Sequence, residues 1–190
     1  YFGTNDKIFL QKKLTSVFSA FSSKRNQTLK LYPTVRSTLK TLRERGVKIV
    51  GHTESLEFNS LYRLYKLDVI DFFDHLYTLE DTHNLHPDPK NAKVIPVKDD
   101  FIIRLSHSES KPNPKLLEHI CFTESVDIKD AVYVGDSIIK DISMAKSIGM
   151  KAVWACYGRQ FPPELWNVLV KITHWTDIDV EREEQLKNSF

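Results

Sequence analysis

Apolar residues recur at a helical period near the start of the chain. Over residues 7–22 (KIFLQKKLTSVFSAFS), Ile8, Leu14, Val17, Phe18 and Phe21 share one face, which predicts an amphipathic helix. Pro33 opens a second helix, with Val35, Leu39 and Leu42 on one side. Gly46 stops it behind a basic last turn, where the helix dipole favours positive charge. Val47-Lys48-Ile49-Val50 is too short for a helix and predicts a strand, followed by a helix over about 55–66 with Leu61, Leu64 and Tyr65 inward. The segment at about 72–78 predicts another strand. Residues ~80–110 break this rhythm with three prolines and several Asn, Asp and His. They carry two short β-like runs, Val94–Val97 and Phe101–Leu105, and read as a loop or small hairpin insertion.

Alternation then resumes. A helix is expected at Pro114–Cys121 and a buried strand at Ala131–Val134. A helix at Ile138–Ile148 ends at Gly149, and a strand at Lys151–Ala155 precedes a helix at Pro163–Val170. Strands alternating with helices, and near-continuous apolar runs within the strands, predict an α/β fold: a doubly wound parallel sheet with helices on both faces.

Composition agrees with a folded domain. The chain has 190 residues, 41% of them hydrophobic and 27% charged, with 11 Phe, 7 Tyr and 3 Trp. Aromatics on this scale supply the burial that disordered chains lack. No run reaches the ~18 apolar residues a membrane span needs. The first ten residues lack a basic region followed by an apolar core. Cys121 and Cys156 cannot build a disulfide framework or a Cys-rich zinc site, and they read as reduced thiols. A cytoplasmic protein is therefore expected. Residues 1–45 carry ten Lys and Arg against Asp6 and Glu44, although the net charge is only +2. A basic stretch of this kind suits an anionic partner or, equally, a solvated helix face. No nucleic-acid-binding motif accompanies it, so neither nucleic acid nor membrane is an expected partner.

In open parallel sheets, ligands bind at the carboxyl ends of the strands. After strand 47–50 come Gly51-His52-Thr53-Glu54-Ser55; after strand 131–134 come Gly135-Asp136-Ser137, with Asp141 one turn into the next helix. Between them Lys111-Pro112 precedes a helix. Helix starts offer unpaired amides and a positive dipole end, which suit phosphate. Thr53 adds a hydroxyl, Lys111 a mobile positive charge, and Asp136 and Asp141 are hard oxygen ligands suited to Mg2+. Each has an ordinary explanation alone: Thr53 as a helix cap, Lys111 as a solvated lysine, Asp136 as a turn residue, Asp141 as an acid complementing the dipole. In order along the chain they read as a phosphoryl-transfer site.

The same residues resemble the haloacid dehalogenase superfamily, in particular its phosphoglycolate-phosphatase-like branch. YPTVRSTLKTLRERGVKIVGHTES is similar to the segment leading into that family's second motif, KPNP to its third, and YVGDSIIKDISMAKSIGM to its fourth, G-D-x-x-x-x-D followed by a helix ending A-x-x-x-G. The resemblance covers residues ~30–160. It implies a phosphomonoester hydrolase acting on a small phosphorylated substrate with Mg2+ as cofactor. Thr53, with Glu54 beside it, would face the phosphoryl group, and Lys111 would neutralise charge on nucleophile and phosphate. Asp136 would bind the metal and Asp141 would help position it or its waters. Residues 1–30 would be the remnant of a helical cap, and 31–190 the core with an insertion at about 80–110.

The sequence departs from the family pattern in three places. The family's D-x-D-G-T, which supplies the nucleophile and a second Asp as general acid/base, does not occur ahead of Thr53. The one D-x-D is Asp177-Ile178-Asp179, which lacks the Gly-Thr and follows the fourth motif. The expectation is that the first strand and its nucleophile are missing, which leaves a catalytically inactive binding or regulatory module as the alternative. Glu54 stands where relatives often carry Asn, and a carboxylate beside phosphate is unfavourable unless it points away or the metal offsets it. His83, His86 and His107 match no metal-ligand spacing and read as solvated loop residues. A receiver-type phosphoacceptor domain is a weaker third reading, because its acidic pair would lie near the N-terminus.

Overall fold

A computed structural model describes residues 3–80, 95–159 and 162–172, with isolated positions at 178, 180, 181 and 185. The chain forms two compact units, Tyr1–His107 and Ser108–Phe190. Both are α/β, and every paired strand among the described residues is parallel.

The first unit opens with α1 (Lys7–Lys13) and α2 (Thr15–Thr28). The sequence pattern predicts one helix here, but the structure breaks it at Leu14, whose N–H still bonds Leu10. Asp6 caps α1 by accepting from the N–H groups of Ile8 and Phe9. No side chain of α2 is buried, and Val17, Phe18 and Phe21 are exposed. Helix α3 (Val35–Glu44) ends as the sequence predicts. Gly46, at φ +73°, donates to Arg43 and Val47 donates to Leu42, the paired bonds of a glycine-terminated helix.

Strand β1 spans Val50–Leu56, helix α4 Glu57–Lys66, β2 His75–Leu79 and β3 Ile102–Leu105, in sheet order β1-β2-β3. Two expectations are corrected here. The strand expected at 47–50 begins only at Val50, because the Val47 N–H is committed to the helix stop and Ile49 bonds the Asp74 carboxylate. It then continues through Gly51–Leu56, which the pattern assigns to a loop and to the start of the next helix. The supposed insertion also contributes a core strand: β3 pairs parallel with β2, from Leu76↔Ile102 to Leu79↔Leu105. Leu61, Leu76 and Phe101 form the buried centre of this unit, with Ile95 and Val97 packed against it.

In the second unit, α5 (Pro114–Thr123) starts at Asn113, whose side chain accepts from the Leu116 N–H, with proline at the first helical position. Strands β4 (Val132–Gly135) and β5 (Lys151–Trp154) pair from Val132↔Lys151 to Gly135↔Trp154. The expectation of a fully buried strand at 131–134 fails: Tyr133 and Gly135 point inward, whereas Val132 and Val134 are exposed. The expected helix at 138–148 is a π-helical turn (Ile138–Ser143) running into the short α6 (Met144–Ser147), because the Ser137 carbonyl accepts from both Asp141 and Ile142. Gly149 stops it at φ +76°. Leu117, Cys121, Met144, Ala145 and Met150 form the core, and Tyr133 and Ala152 pack against it. The helix expected at 163–170 is a 3-10 turn (Pro163–Leu165) followed by α7 (Trp166–Ile172). Among the described residues, no helix is long and apolar enough to cross a membrane.

Candidate functional site

Thr53 and Glu54 lie at the carboxyl end of β1, inside a bulge rather than in a loop after the strand. Thr53 pairs with Thr78 and Leu56 with Leu79, so Glu54 and Ser55 are extra residues on this strand. The bulge is held from within. The Ser55 N–H donates to Thr53 Oγ1 at 3.1 Å, and the Thr78 hydroxyl, wholly buried, donates to the Ser55 carbonyl at 2.7 Å. Ser60, also buried, donates to the Leu56 carbonyl at 3.1 Å. These hydroxyls satisfy a polar strand end that would otherwise be costly to bury. Arg63, on α4, donates to Ser55 Oγ at 3.4 Å. Burial, and then the positive charge of Arg25, lower its pKa. The run Thr53-Glu54-Ser55 is thus hydrogen-bonded from within, half-buried and bordered by the positive charge of Arg63.

Lys111, Asp136 and Asp141 belong to the second unit. The Lys111 ammonium lies 2.9 Å from Asp141 Oδ1, with only 12% and 6% of the two side chains exposed. Asp141 reaches this position because Gly135 has no side chain: a Cβ there would fall inside the Asp141 carboxylate. The Ser137 N–H donates to Asp141 Oδ2 at 3.1 Å, and the Tyr133 hydroxyl lies 3.5 Å from Oδ1. Burial would lower the Lys111 pKa, but Tyr133 and Asp141, through charge and hydrogen bonds, outweigh it and leave the pKa raised. Burial pushes the Tyr133 phenol up to about 12. Both groups therefore keep their protons at neutral pH, the lysine as a cation and the tyrosine as a neutral donor.

Asp136 is different. It is exposed at the strand end, with its backbone carbonyl fixed by the Trp154 indole N–H at 3.1 Å. Gly158 leaves room beside it, since a Cβ there would sit 3.0 Å from Asp136 Cβ. Among the described residues, no group of three or more His, Cys, Asp or Glu could hold a metal. Of Asp136 and Asp141, the first is accessible and the second is committed to Lys111. That donor set fits Mg2+, which usually keeps several waters and takes one or two protein carboxylates.

The structure brings Lys111 and Asp141 into direct contact and sets Asp136 at the end of the same strand that carries Tyr133 and Gly135. Thr53 and Glu54 stand in the first unit. Asp177, Asp179, His83 and His86 lie outside the described residues; His107 sits in a 3-10 turn, His107–Glu109. Sequence reasoning passes over Tyr133 and the two buried hydroxyls. The signal for Tyr133 was its place two residues before Gly135, on the same face of a strand.

Comparisons with known proteins converge on one description. A family model for haloacid dehalogenase-like hydrolases matches residues 15–149. A Pyrococcus abyssi protein named glyceraldehyde 3-phosphate phosphatase is 28% identical over 131 residues, which cover 69% of this chain and 44% of that protein. A Methanopyrus kandleri protein of the same name is 28% identical over 142 residues, covering 75% of this chain and 50% of that protein. The chain therefore spans about half the length of these relatives. A crystal structure of a HAD phosphatase from Thermococcus onnurineus superposes with a TM-score of 0.53 at 25% identity, covering 77% of this chain and 56% of that one.

Proposed function

The chain belongs to the haloacid dehalogenase-like hydrolase family, and on that premise we propose that it forms part of a cytoplasmic Mg2+-dependent phosphatase acting on a small phosphomonoester. The observation that carries the reading is the buried Lys111–Asp141 pair, packed over Gly135, with the exposed Asp136 following that glycine at the end of β4. A lysine held as a cation, together with an accessible carboxylate at the end of the neighbouring strand, suits a site that must manage both phosphate and a divalent ion. Because the relatives are named for glyceraldehyde 3-phosphate, that compound is the first substrate to test.

In this reading the Thr53 hydroxyl hydrogen-bonds the transferring phosphoryl group, and Glu54 lies beside it. Lys111 offsets the charge on phosphate and nucleophile, while Asp141 keeps that ammonium in place. Asp136 would be the principal ligand for Mg2+ and Asp141 would help to position the ion or its waters; Mg2+ held there would supply Lewis-acid offset of phosphate charge. These 190 residues contain no D-x-D-G-T, so the proposal puts the nucleophilic Asp on a segment outside them. That carboxylate attacks phosphorus, the ester P–O bond breaks, and the leaving oxygen takes a proton from the second Asp of the same motif. Water then hydrolyses the phospho-aspartate and releases phosphate. Residues 1–30 are the remnant of a helical cap, and 31–190 belong to the core.

The test compares Mg2+-dependent phosphate release by the 190-residue chain with release by a longer form carrying a D-x-D-G-T segment ahead of it. The expected result is blank-level release by the first and turnover by the second, abolished in Lys111→Met. Turnover by the 190-residue chain that Asp177→Asn removes would relocate the nucleophile. A silent longer form would favour the second reading, a family fold used as a binding or regulatory module, which the absent D-x-D-G-T motivates.

A further inference from the structure

Alternation along β4 sends Val132 and Val134 outward and turns Tyr133 and Gly135 toward the core. Asp141 packs into the space above Gly135, and its Oδ1 lies 2.9 Å from the Lys111 ammonium and 3.5 Å from the Tyr133 hydroxyl. The same ammonium stands 5.5 Å over the Tyr133 ring centroid. A phenylalanine would fill this place against the core equally well, so packing does not explain the hydroxyl. A phenol can donate its proton to a carboxylate and accept from an ammonium at once, and a buried tyrosine hydroxyl needs such a partner.

We propose that Tyr133 is a positioning residue for Lys111: its hydroxyl joins the Asp141 carboxylate and the ammonium in one cluster that fixes the direction of a long, flexible side chain. The assignment of that ammonium to phosphate rests on the phosphatase reading; the positioning itself does not. A single ion pair leaves a lysine free to swing about one contact, because its charge is a point on a flexible stem. The ring face and the hydroxyl supply two further restraints.

The test is the conservative Tyr133→Phe variant of this chain, read by 1H–15N NMR of lysine ammonium groups, with Lys111→Met identifying the signal. The wild-type chain should show a slowly exchanging Lys111 ammonium resonance. In Tyr133→Phe its exchange with water should accelerate by about tenfold, the equivalent of one hydrogen bond to a charged group, while circular dichroism stays native. Tyr133→Leu removes the ring face as well, and should both melt lower than Tyr133→Phe and exchange at least as fast. An unchanged Lys111 resonance in Tyr133→Phe, or none in the wild-type chain, overturns the proposal. In the longer form, the same variant should lower kcat with KM little changed. Failure of the phosphatase reading would silence turnover in every form and leave the NMR result standing.

Discussion

Replacing Lys111 with Met removes one charge of a buried pair and keeps most of the stem's packing. Asp141 cannot escape the consequence. Its carboxylate is only 6% exposed, is anchored by the Ser137 N–H and sits over Gly135. Breaking a buried pair from one side typically costs about 3–5 kcal/mol. Because Ser137 and Tyr133 still face the carboxylate, the lower end, about 3 kcal/mol, is expected here. The opposite change, Asp141→Asn, should cost at least ~1 kcal/mol less, because a lysine can turn its charge toward water on its long stem. The double variant should recover about 2 kcal/mol relative to the sum of the two singles, the coupling expected of groups in direct contact. Urea unfolding of all four proteins, with midpoints and slopes fitted separately, measures the cycle. A Lys111→Met cost below about 1 kcal/mol, as for an exposed ion pair, or strictly additive losses, would refute this reasoning.

Thr78→Val removes the buried hydroxyl that donates to the Ser55 carbonyl at 2.7 Å and leaves that acceptor only the long 3.5 Å bond from Ser60; the loss should cost about 1–3 kcal/mol by urea unfolding. Asp136→Asn should leave stability within about 0.5 kcal/mol, because the residue is exposed, yet should remove Mg2+-dependent turnover of the longer form. Asp141→Asn should lower both, and melting curves run beside turnover assays separate the two cases. Burial would raise the Asp74 pKa, but hydrogen bonds from Arg43 and the Ile49 N–H, with the charges of Arg43 and Lys48, outweigh it and lower it. A depressed carboxyl contributes stability above its unfolded value, roughly pH 3.9, and loses it as pH falls through the folded value. Asp74→Asn should therefore flatten the acid limb of the stability–pH curve in that window, and an unchanged limb would remove Asp74 from the account.

The alternation of elements was legible because it depends on local signals. Gly46 and Gly149 mark helix stops by accepting positive φ, and Asn113-Pro114 marks a helix start. What local signals missed was decided by long-range pairing. Gly51–Leu56 is polar, and nothing nearby marks it as a strand; it becomes one because β2 pairs with it and because Thr78 and Ser60 satisfy its bulge from elsewhere in the chain. The third strand was masked by proline density on its N-terminal side, and its partner, Leu76, lies far back in sequence. At the site, the residue types of Lys111, Asp136 and Asp141 were readable, but not which carboxylate the lysine would take. That choice is made by Gly135, whose missing side chain admits Asp141, and by the π-helical turn that carries Asp141 toward β4.

The outward face of the β4–β5 ladder is apolar apart from one charge. Val134 stands opposite Val153 on that face, and Val132 stands opposite Lys151. Three exposed valines on a short parallel ladder make an apolar patch, the kind of surface that favours association. Lys151 interrupts it with a charge while contributing nothing to the core below. A charge at such a place is the pattern of a gatekeeper, which opposes association of the apolar face. Lys151→Val would leave the melting temperature nearly unchanged and would show itself instead as light scattering that rises with protein concentration.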